Sequence, residues 1–233
     1  MKIKKAMILA AGKGTRMQPL TLKNPKPLIK IGKYSLLEKG INLLIDHGIE
    51  EIVINVHYLS HQIEDFILSK NYKIKIIISN EIEALLDTGG GAFKGTEVFN
   101  DEPFIILNPD TLWNKNYLSE LKLLEEMYFK TKKTCLLLVN KTLSFDPTFI
   151  GDFNLKSDKY VFRDKDNQYI YTGLQVLDRS AFDFIEKKIF SMNLVWDRLI
   201  LSNNLYGLKS KEKFYHLNTK SIYDKISKLN FID

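Results

Sequence analysis

Short apolar runs alternate along the chain with segments of helical periodicity. Each run is bounded by turn-forming or polar residues, which is typical of strands that a parallel sheet buries on both faces. The runs predict five strands, at Ala6–Ala10, Ile52–Val56, Ile74–Ser79, Phe104–Leu107 and Cys135–Val139.

Amphipathic segments between these runs predict helices. Gly48 is a stop signal for the first of them, and Ser60 is the expected N-cap of the second. The predicted helices are Leu36–Ile45, a segment through Ile63–Leu68, Gly89–Val98 and Tyr117–Phe129. Regular alternation of strand and helix predicts an α/β fold, with a Rossmann-like, mostly parallel sheet and helices on both faces.

The pattern changes after Asn140. Residues 145–171 are polar and strand-like, with turns at Asp146-Pro147 and Gly151. A strand over Tyr169–Leu177 and helices near 180–188 and 193–203 follow. We therefore expect one domain over residues 1–233, with a core over 1–140, a substrate-covering lobe over 140–175 and a C-terminal part over 176–233 that completes the site.

Composition narrows the class of protein. A chain of 233 residues with 45% hydrophobic content suits a single soluble domain. Its one cysteine, Cys135, lies in an apolar run and is expected to be a buried strand residue. No apolar stretch approaches the roughly 18–20 residues of a membrane span, and the first apolar run is too short for a signal peptide. These features predict a cytoplasmic protein with no membrane partner.

The charge points to small phosphorylated ligands. The 34 basic and 28 acidic residues give a formal net charge of +6, and no basic run carries interleaved aromatic residues. A nucleic-acid partner is therefore not expected. A mild positive field favours phosphorylated small molecules instead. Arg16 is the most informative of the few arginines, because it lies in a glycine-rich loop where a planar guanidinium suits phosphate.

This loop, Ala10-Ala-Gly-Lys-Gly-Thr-Arg16, directly follows the first predicted strand, at the end where parallel sheets bind ligands. Gly12 and Gly14 allow backbone N–H groups to approach phosphate oxygens. A dinucleotide fingerprint would need glycine at position 17, where the chain has Met17, and the loop lacks the Gly-Lys-Ser/Thr of a P-loop. A tight turn without a ligand is the alternative.

Three further segments carry candidate chemistry. Two prolines flank Lys26 and fix its backbone, which makes it a candidate phosphate clamp or, alternatively, part of a rigid surface loop. Asp87-Thr-Gly-Gly-Gly91 suits a base or ribose packed against the backbone, or else a hinge. Asp110 ends an apolar strand, where a carboxylate is well placed to hold Mg²⁺ or to cap a turn.

Together these motifs resemble those of the sugar-phosphate nucleotidylyltransferases. The matching segments are Leu9–Arg16, Pro25-Lys-Pro27 and the acidic strand end at Asp110, and the likeness extends over nearly the whole chain. The resemblance implies a GT-A-like nucleotidyltransferase fold. It also implies in-line attack by a sugar 1-phosphate on the α-phosphorus of a nucleoside triphosphate, with Mg²⁺ as cofactor.

The resemblance further implies roles for individual residues. Arg16 is expected on the leaving pyrophosphate, Lys26 between the α-phosphate and the sugar phosphate, and Asp110 on Mg²⁺. Nucleotide contacts are expected from Ala11, Gly12, Lys13, Gly14, Thr15, Thr88, Gly89 and Asn108, and sugar contacts from Gly151, Asp152 and Gly173.

One segment departs from the family pattern. Relatives end the site with Trp-x-Asp-Val-Gly-Thr, whose Asp is a second metal ligand, whereas this chain reads Phe214-Tyr-His-Leu-Asn-Thr219. His216 stands at the position of that Asp and Asn218 at the position of the Gly. Because imidazole is a poor ligand for Mg²⁺, we expect His216 to be a weak or indirect one.

Within the family the chain looks most like short bacterial enzymes that attach uridylate to N-acetylmuramate 1-phosphate during peptidoglycan recycling. The segments behind this likeness are Glu51–Tyr58, Asp87–Gly91, Asp101–Phe104, Gly151–Phe153 and Tyr171–Gly173. Mannose-1-phosphate guanylyltransferase, glucose-1-phosphate thymidylyl- or uridylyltransferase and phosphocholine cytidylyltransferase are the alternatives. The residues leave the base, the sugar and the oligomeric state open.

A non-catalytic sensor of nucleotide sugars is the rival from another functional class. Only His216 favours it. The presence of Arg16, Lys26 and Asp110 counts against it.

Overall fold

The computed structural model describes residues 1–156 and 159–229. Residues 157–158 of the predicted lobe and 230–233 of the predicted C-terminal part lie outside the described residues. The strands of the described chain are β1 (Lys5–Leu9), β2 (Lys30–Ile31), β3 (Tyr34–Ser35), β4 (Glu51–Val56), β5 (Lys75–Asn80), β6 (Phe104–Leu107), β7 (Thr134–Asn140), β8 (Asn154–Leu155), β9 (Val161–Phe162), β10 (Tyr169–Leu177) and β11 (Leu205–Ser210). Its α-helices are α1 (Leu36–His47), α2 (Ser60–Lys70), α3 (Asp87–Gly95), α4 (Tyr117–Thr131), α5 (Met192–Leu201) and α6 (Lys220–Ile226).

Within the described residues, seven strands form a central sheet in the order β11-β7-β10-β6-β1-β4-β5. All pairs are parallel except those of β10, which runs antiparallel to both β6 and β7. The chain leaves β1 toward β4 and β5 on one side and returns to β6 on the other. The loop after β1 therefore lies where the strand order reverses, which is where open α/β sheets bind ligands.

Both faces of the sheet are covered, because successive strand residues point to opposite sides. On β1, Ala6 and Ile8 join a buried cluster with α1, α2 and α4, whereas Met7 joins the cluster on the opposite face with α3 and α5. Strands β4, β6 and β7 divide their side chains in the same way. The predicted α/β fold, with a mostly parallel sheet and helices on both faces, is confirmed.

Strand β10 is irregular where it passes the end of β6. Its pairing with β7 shifts register between Tyr171 and Gln175, and Gly173 has a φ of +92°. A Cβ atom on Gly173 would lie 2.8 Å from Cβ of Asn108, and the Gly173 carbonyl accepts a hydrogen bond of 2.7 Å from the Asn108 N–H. Glycine is required here because only glycine combines this φ with so close an approach.

The ends of the first two helices show one correct and one wrong prediction. Ser35 caps α1 by accepting from the Glu38 N–H, and Gly48 ends that helix with a φ of +100°, as the stop signal predicted. The predicted N-cap at Ser60 is wrong. Leu59 occupies that position in a left-handed conformation, and Ser60 is the first residue of α2.

The region after β10 differs from the prediction in two places. The helix predicted near 180–188 is wrong, since only a 3₁₀ turn over Arg179–Phe182 forms there. The following chain packs against α3 instead, where the Phe190 carbonyl accepts hydrogen bonds from the N–H groups of Gly89 and Gly90. Strand β11 was not predicted. A Cβ atom on its Gly207 would lie 2.6 Å from Leu155, so the short β8–β9 hairpin packs directly on it.

Two expectations from composition have structural counterparts. Cys135 is buried on β7, as predicted, and burial raises the pKa of its thiol to about 12. Among the described helices, none combines the length and the apolar content that crossing a bilayer requires.

Candidate active site

A cleft of about 500 Å³ opens at the carboxyl ends of β1, β4, β5 and β6. Each of these strands delivers a residue to its wall close to the point where the strand ends. The residues concerned are Ala10 after β1, Asn55 on β4, Glu81 after β5 and Asn108 after β6. The loop after β1 and the segment around Lys26 form the rest of one side.

The glycine-rich loop folds onto the Lys26 segment. Gly14 has a φ of +64°, and a Cβ atom there would lie 3.0 Å from side-chain atoms of both Lys26 and Thr21. The Thr21 hydroxyl donates a hydrogen bond of 2.8 Å to the Gly14 carbonyl. At Gly12, by contrast, a Cβ atom would meet nothing within 4 Å, so the backbone there is open to a ligand. Arg16 is exposed in the 3₁₀ turn Thr15–Met17 and lines the cleft.

Lys26, Asp110 and His216 meet at one carboxylate oxygen. The Lys26 ammonium donates to Asp110 Oδ2 at 2.6 Å, and His216 Nε2 lies 3.1 Å from the same atom. Burial by itself would raise the pKa of Asp110, but the charges of Lys26 and His216 and their hydrogen bonds outweigh it, and the pKa lies well below its ordinary value. The carboxylate is therefore ionised at any working pH.

The other oxygen of Asp110 has no partner. Seven buried side-chain polar atoms of the described chain lack a hydrogen-bond partner, and five of them belong to residues at or beside Asp110. These five are Asn108 Oδ1, Asp110 Oδ1, Tyr171 Oη, His216 Nδ1 and Asn218 Oδ1. Three of the five are carboxylate or amide oxygens, the ligands that Mg²⁺ prefers. The residues present therefore fit a Mg²⁺ ion at Asp110.

No group of three or more His, Cys, Asp or Glu side chains in residues 1–156 and 159–229 is arranged to hold a metal ion. Mg²⁺ commonly keeps several waters and binds through one or two carboxylates together with substrate phosphates. A single carboxylate with neighbouring amide oxygens agrees with that habit.

An Asn–Glu pair that the sequence interpretation missed forms the far wall of the cleft. The Ala10 N–H donates to Asn55 Oδ1 at 2.7 Å, and Asn55 Nδ2 donates to Glu81 Oε1 at 2.7 Å. Both residues are buried, and a Cβ atom on Gly91 would lie 2.6 Å from the Glu81 carboxylate. Their position at the ends of two predicted strands was the signal that would have identified them, because ligands bind at that edge.

In the predicted base-binding segment Asp87–Gly91, one predicted residue lines the cleft and the other packs against the chain before α5. Thr88 lines the cleft, and its hydroxyl accepts from the Met192 N–H at 3.0 Å. Gly89 does not line the cleft, since its N–H binds the Phe190 carbonyl and a Cβ atom would lie 2.4 Å from the Phe190 ring. Lys13 is exposed and also lies outside the cleft wall. Ala11, Gly12, Gly14, Thr15 and Asn108 all line it.

The predicted sugar residues Gly151, Asp152 and Gly173 do not line the cleft. Asp152 Oδ2 accepts from the Tyr171 N–H at 2.8 Å, and a Cβ atom on Gly151 would lie 2.2 Å from the Asn167 carbonyl. The Tyr171 ring packs edge-on against Trp196 at a centroid distance of 4.8 Å. Burial raises the pKa of Tyr171 well above its ordinary value, and Asp110 and Asp152 add to the shift, so its hydroxyl stays protonated.

Known proteins resemble the chain that carries this glycine loop, lysine and strand-end carboxylate. Residues 5–143 match the nucleotidyl transferase family. The chain belongs to this family. Membership of the sugar-phosphate nucleotidylyltransferases, predicted from the sequence, is confirmed.

Curated relatives span most of the chain. It is 28% identical to the N-acetylmuramate alpha-1-phosphate uridylyltransferase of Caulobacter vibrioides, over 91% of this chain and 90% of the relative. The protein of the same name from Neisseria meningitidis is 32% identical over 78% of each chain. A probable mannose-1-phosphate guanylyltransferase of Oryza sativa is 28% identical over 88% of this chain but only 58% of the relative.

Solved structures share the fold. A UDP-glucose pyrophosphorylase crystallised with UDP-glucose superposes with a TM-score of 0.80 at 18% identity, covering 97% of both chains. HddC from Yersinia pseudotuberculosis superposes with a TM-score of 0.75 at 20% identity, covering 97% of this chain and 99% of that one.

The depressed pKa of Asp110 predicts how its contribution to stability depends on pH. In metal-free buffer at pH 7, Asp110→Asn should lower the free energy of unfolding by about 2 kcal/mol, the usual size for a hydrogen bond to a buried charge. An acid whose folded pKa lies below its unfolded value of about 3.9 stabilises the fold above that value, and the contribution is lost as pH falls toward the folded pKa. The deficit of Asp110→Asn should therefore shrink below about pH 4.

Urea unfolding at pH 7, 5 and 3 measures this dependence. Asp224→Asn is the matched control, because Asp224 pairs with Lys220 at 2.6 Å on the exposed surface of α6. An exposed pair of this kind contributes less than about 1 kcal/mol. A deficit of Asp110→Asn that is equally large at pH 3 and pH 7 would contradict the ionic origin assigned to it.

Proposed function

We propose that the protein transfers uridylate from UTP to N-acetylmuramate 1-phosphate and releases pyrophosphate, with Mg²⁺ as cofactor, in the recycling of cell-wall material in the cytoplasm. The observation that carries the proposal is the contact of Lys26 with Asp110, both of which line the same cleft as the open backbone of Gly12. Such a site brings cationic side chains and backbone donors to a triphosphate.

The choice of sugar and base rests on the relatives that this chain matches over most of their own length. This chain spans 90% of the Caulobacter uridylyltransferase but little more than half of the rice guanylyltransferase. Mannose-1-phosphate guanylyltransferase is the second candidate, since the rice relative matches 88% of this chain.

In the proposed reaction, the nucleophile is already ionised. The second pKa of a phosphate monoester is about 6, so a sugar 1-phosphate is largely a dianion at neutral pH and needs no general base. The protein must instead bring two anions together and stabilise charge on the leaving pyrophosphate. The backbone at Gly12 and Gly14 would hold the phosphates, and the exposed guanidinium of Arg16 would bind the pyrophosphate.

Lys26 would bridge the α-phosphate and the incoming sugar phosphate. Its ammonium has three N–H donors, and Asp110 takes one of them at 2.6 Å. The remaining donors are therefore held at a fixed point beside the cleft. Asp110 both positions this lysine through Oδ2 and retains Oδ1 for the metal ion.

Mg²⁺ would be held by Asp110 Oδ1, with His216 in a weak or indirect role. When bound, the ion neutralises charge on the triphosphate. His216 Nε2 already lies against Asp110 Oδ2, which leaves Nδ1 of a neutral ring to accept a hydrogen bond from water.

The remaining proposed contacts follow the three parts of the chain that the sequence predicts. Residues 1–140 would bind the nucleotide, 140–175 the sugar, and 176–233 would complete the site. Thr88 and Asn108 would contact the nucleotide directly, whereas Gly89 would act through its packing on Phe190. Ala11, Lys13 and Thr15 would contribute to the phosphate loop, and Gly151, Asp152 and Gly173 would contact the sugar.

Removing either cation of the phosphate clamp should slow turnover. Arg16→Ala and Lys26→Ala are each expected to lower it by roughly 10²–10³, the usual size for the loss of one preorganised electrostatic contact. Pyrophosphate release by the folded variants is the measurement. Lys23→Ala, an exposed lysine between the two segments, should be unchanged. Near-normal release by both variants would remove the phosphate-clamp assignment.

The substrates are tested with a matrix of UTP, GTP, CTP and dTTP against N-acetylmuramate 1-phosphate, mannose 1-phosphate, glucose 1-phosphate and phosphocholine. UTP with N-acetylmuramate 1-phosphate should give the fastest pyrophosphate release. A faster reaction with another pair would replace the proposed substrates. Nucleotide binding without release from any pair would identify a sensor.

A further inference from the structure

Asn218 is one of the site residues whose polar atoms are not all paired by the described contacts. It lines the cleft, and its Oδ1 atom is buried without a hydrogen-bond partner. Its other end is engaged, because Nδ2 donates to Asp146 Oδ2 at 3.1 Å. One half of the amide is therefore anchored, and the other half has no partner.

The anchor fixes which way the amide points. A carboxylate only accepts hydrogen bonds, so the Asn218 NH₂ group must face Asp146 and the Oδ1 atom must face away from it. Asp146 is itself held firmly, since its Oδ1 accepts from both the N–H and the hydroxyl of Thr148, at 3.0 and 2.6 Å. Turning the amide over would place two oxygens against each other in a buried position.

The chain brings Asn218 beside Asp110. The Leu217 N–H donates to the Asp110 carbonyl at 2.8 Å, and the Asn218 N–H donates to the His216 carbonyl at 3.1 Å. His216 contacts the Asp110 carboxylate itself. Asn218 and Asp110 thus line the same cleft, and each presents one buried oxygen without a partner.

We propose that Asn218 Oδ1 is the second protein oxygen bound to Mg²⁺ and that Asp146 is the positioning residue that aims it. This assignment rests on the proposed function. His216 offers only imidazole nitrogens, which Mg²⁺ disfavours, and its Nε2 lies against Asp110. An amide oxygen is a ligand that Mg²⁺ accepts, and the Asn218 oxygen is oriented before any ligand arrives.

Metal affinity tests the assignment separately from turnover. Mn²⁺ replaces Mg²⁺ and is titrated into the protein in the presence of a non-hydrolysable UTP analogue. Free Mn²⁺ is measured by electron paramagnetic resonance at each step, which gives the Kd for Mn²⁺. Asn218→Ala should raise the Kd for Mn²⁺ roughly 10-fold, the lower end of what altering the surroundings of a bound metal costs. Asp146→Ala should raise it by a smaller factor, because the amide remains but is no longer aimed.

The double variant distinguishes an effect of Asp146 on the orientation of Asn218 from an independent effect on metal affinity. Because Asp146 acts through Asn218, Asp146→Ala combined with Asn218→Ala should bind Mn²⁺ no more weakly than Asn218→Ala alone. Asn116→Ala is the matched control, since Asn116 Nδ2 donates to Glu212 Oε2 at 3.0 Å on the exposed surface. This control should leave the Kd unchanged. Thermal unfolding without metal verifies folding, and Asn218→Gly replaces Asn218→Ala if the latter does not fold.

The outcomes decide between the assignment and its alternatives. An unchanged Kd for Mn²⁺ in a folded Asn218 variant overturns the ligand assignment. If metal-free binding of the UTP analogue weakens instead, the oxygen serves a ligand hydroxyl and the assignment is also overturned. Additive effects of the two substitutions overturn the role of Asp146. The titration needs no sugar phosphate, so failure of the substrate matrix leaves its result intact.

Discussion

The Asp110 carboxylate is the group on which the rest of the site depends. It brings together three segments that lie far apart along the chain, because Lys26 and His216 both contact its Oδ2 atom. A buried carboxylate without such partners would be costly and would take up a proton. Lys26 and His216 lower the pKa of this carboxylate, and they occupy only one of its oxygens.

The sheet makes this arrangement rigid. Asp110 follows β6, which is buried on both faces and paired with β1 and β10. The glycine loop leaves the neighbouring strand β1 and packs at Gly14 against the Lys26 segment. The glycine loop and the Asp110 carboxylate are thus held at adjacent strand ends, and Lys26 is held against both. The proposed binding of a triphosphate would therefore need little reorganisation.

Local signals predicted the parts of the molecule that local chemistry determines. The apolar runs predicted the first five strands of the sheet because both of their faces are buried, and the spacing of glycines and prolines identified the loop at Gly12 and the lysine at Lys26. Asp110 was selected because a carboxylate that follows an apolar strand is well placed to hold Mg²⁺. Family resemblance supplied the reaction class, which the comparisons confirmed.

Long-range contacts determined what the sequence did not predict. The reversed direction of β10 depends on its pairing with β6 and β7, and the absence of a helix near 180–188 depends on contacts with the glycines of α3. Asn55 and Glu81 form a hydrogen-bonded pair in the cleft wall because their strands end side by side. The orientation of Asn218 depends on Asp146, a residue that the sequence shows only as part of a turn.

The central claim is that the two oxygens of Asp110 have separate tasks, one for Lys26 and one for the metal ion. A crystal structure with Mn²⁺ and a non-hydrolysable UTP analogue, with the ion located by anomalous scattering, tests it most directly. We predict an ion bound to Oδ1 of Asp110 while Lys26 remains on Oδ2. An ion on Oδ2 with Lys26 displaced, or an ion bound through His216 without Asp110, would contradict the account.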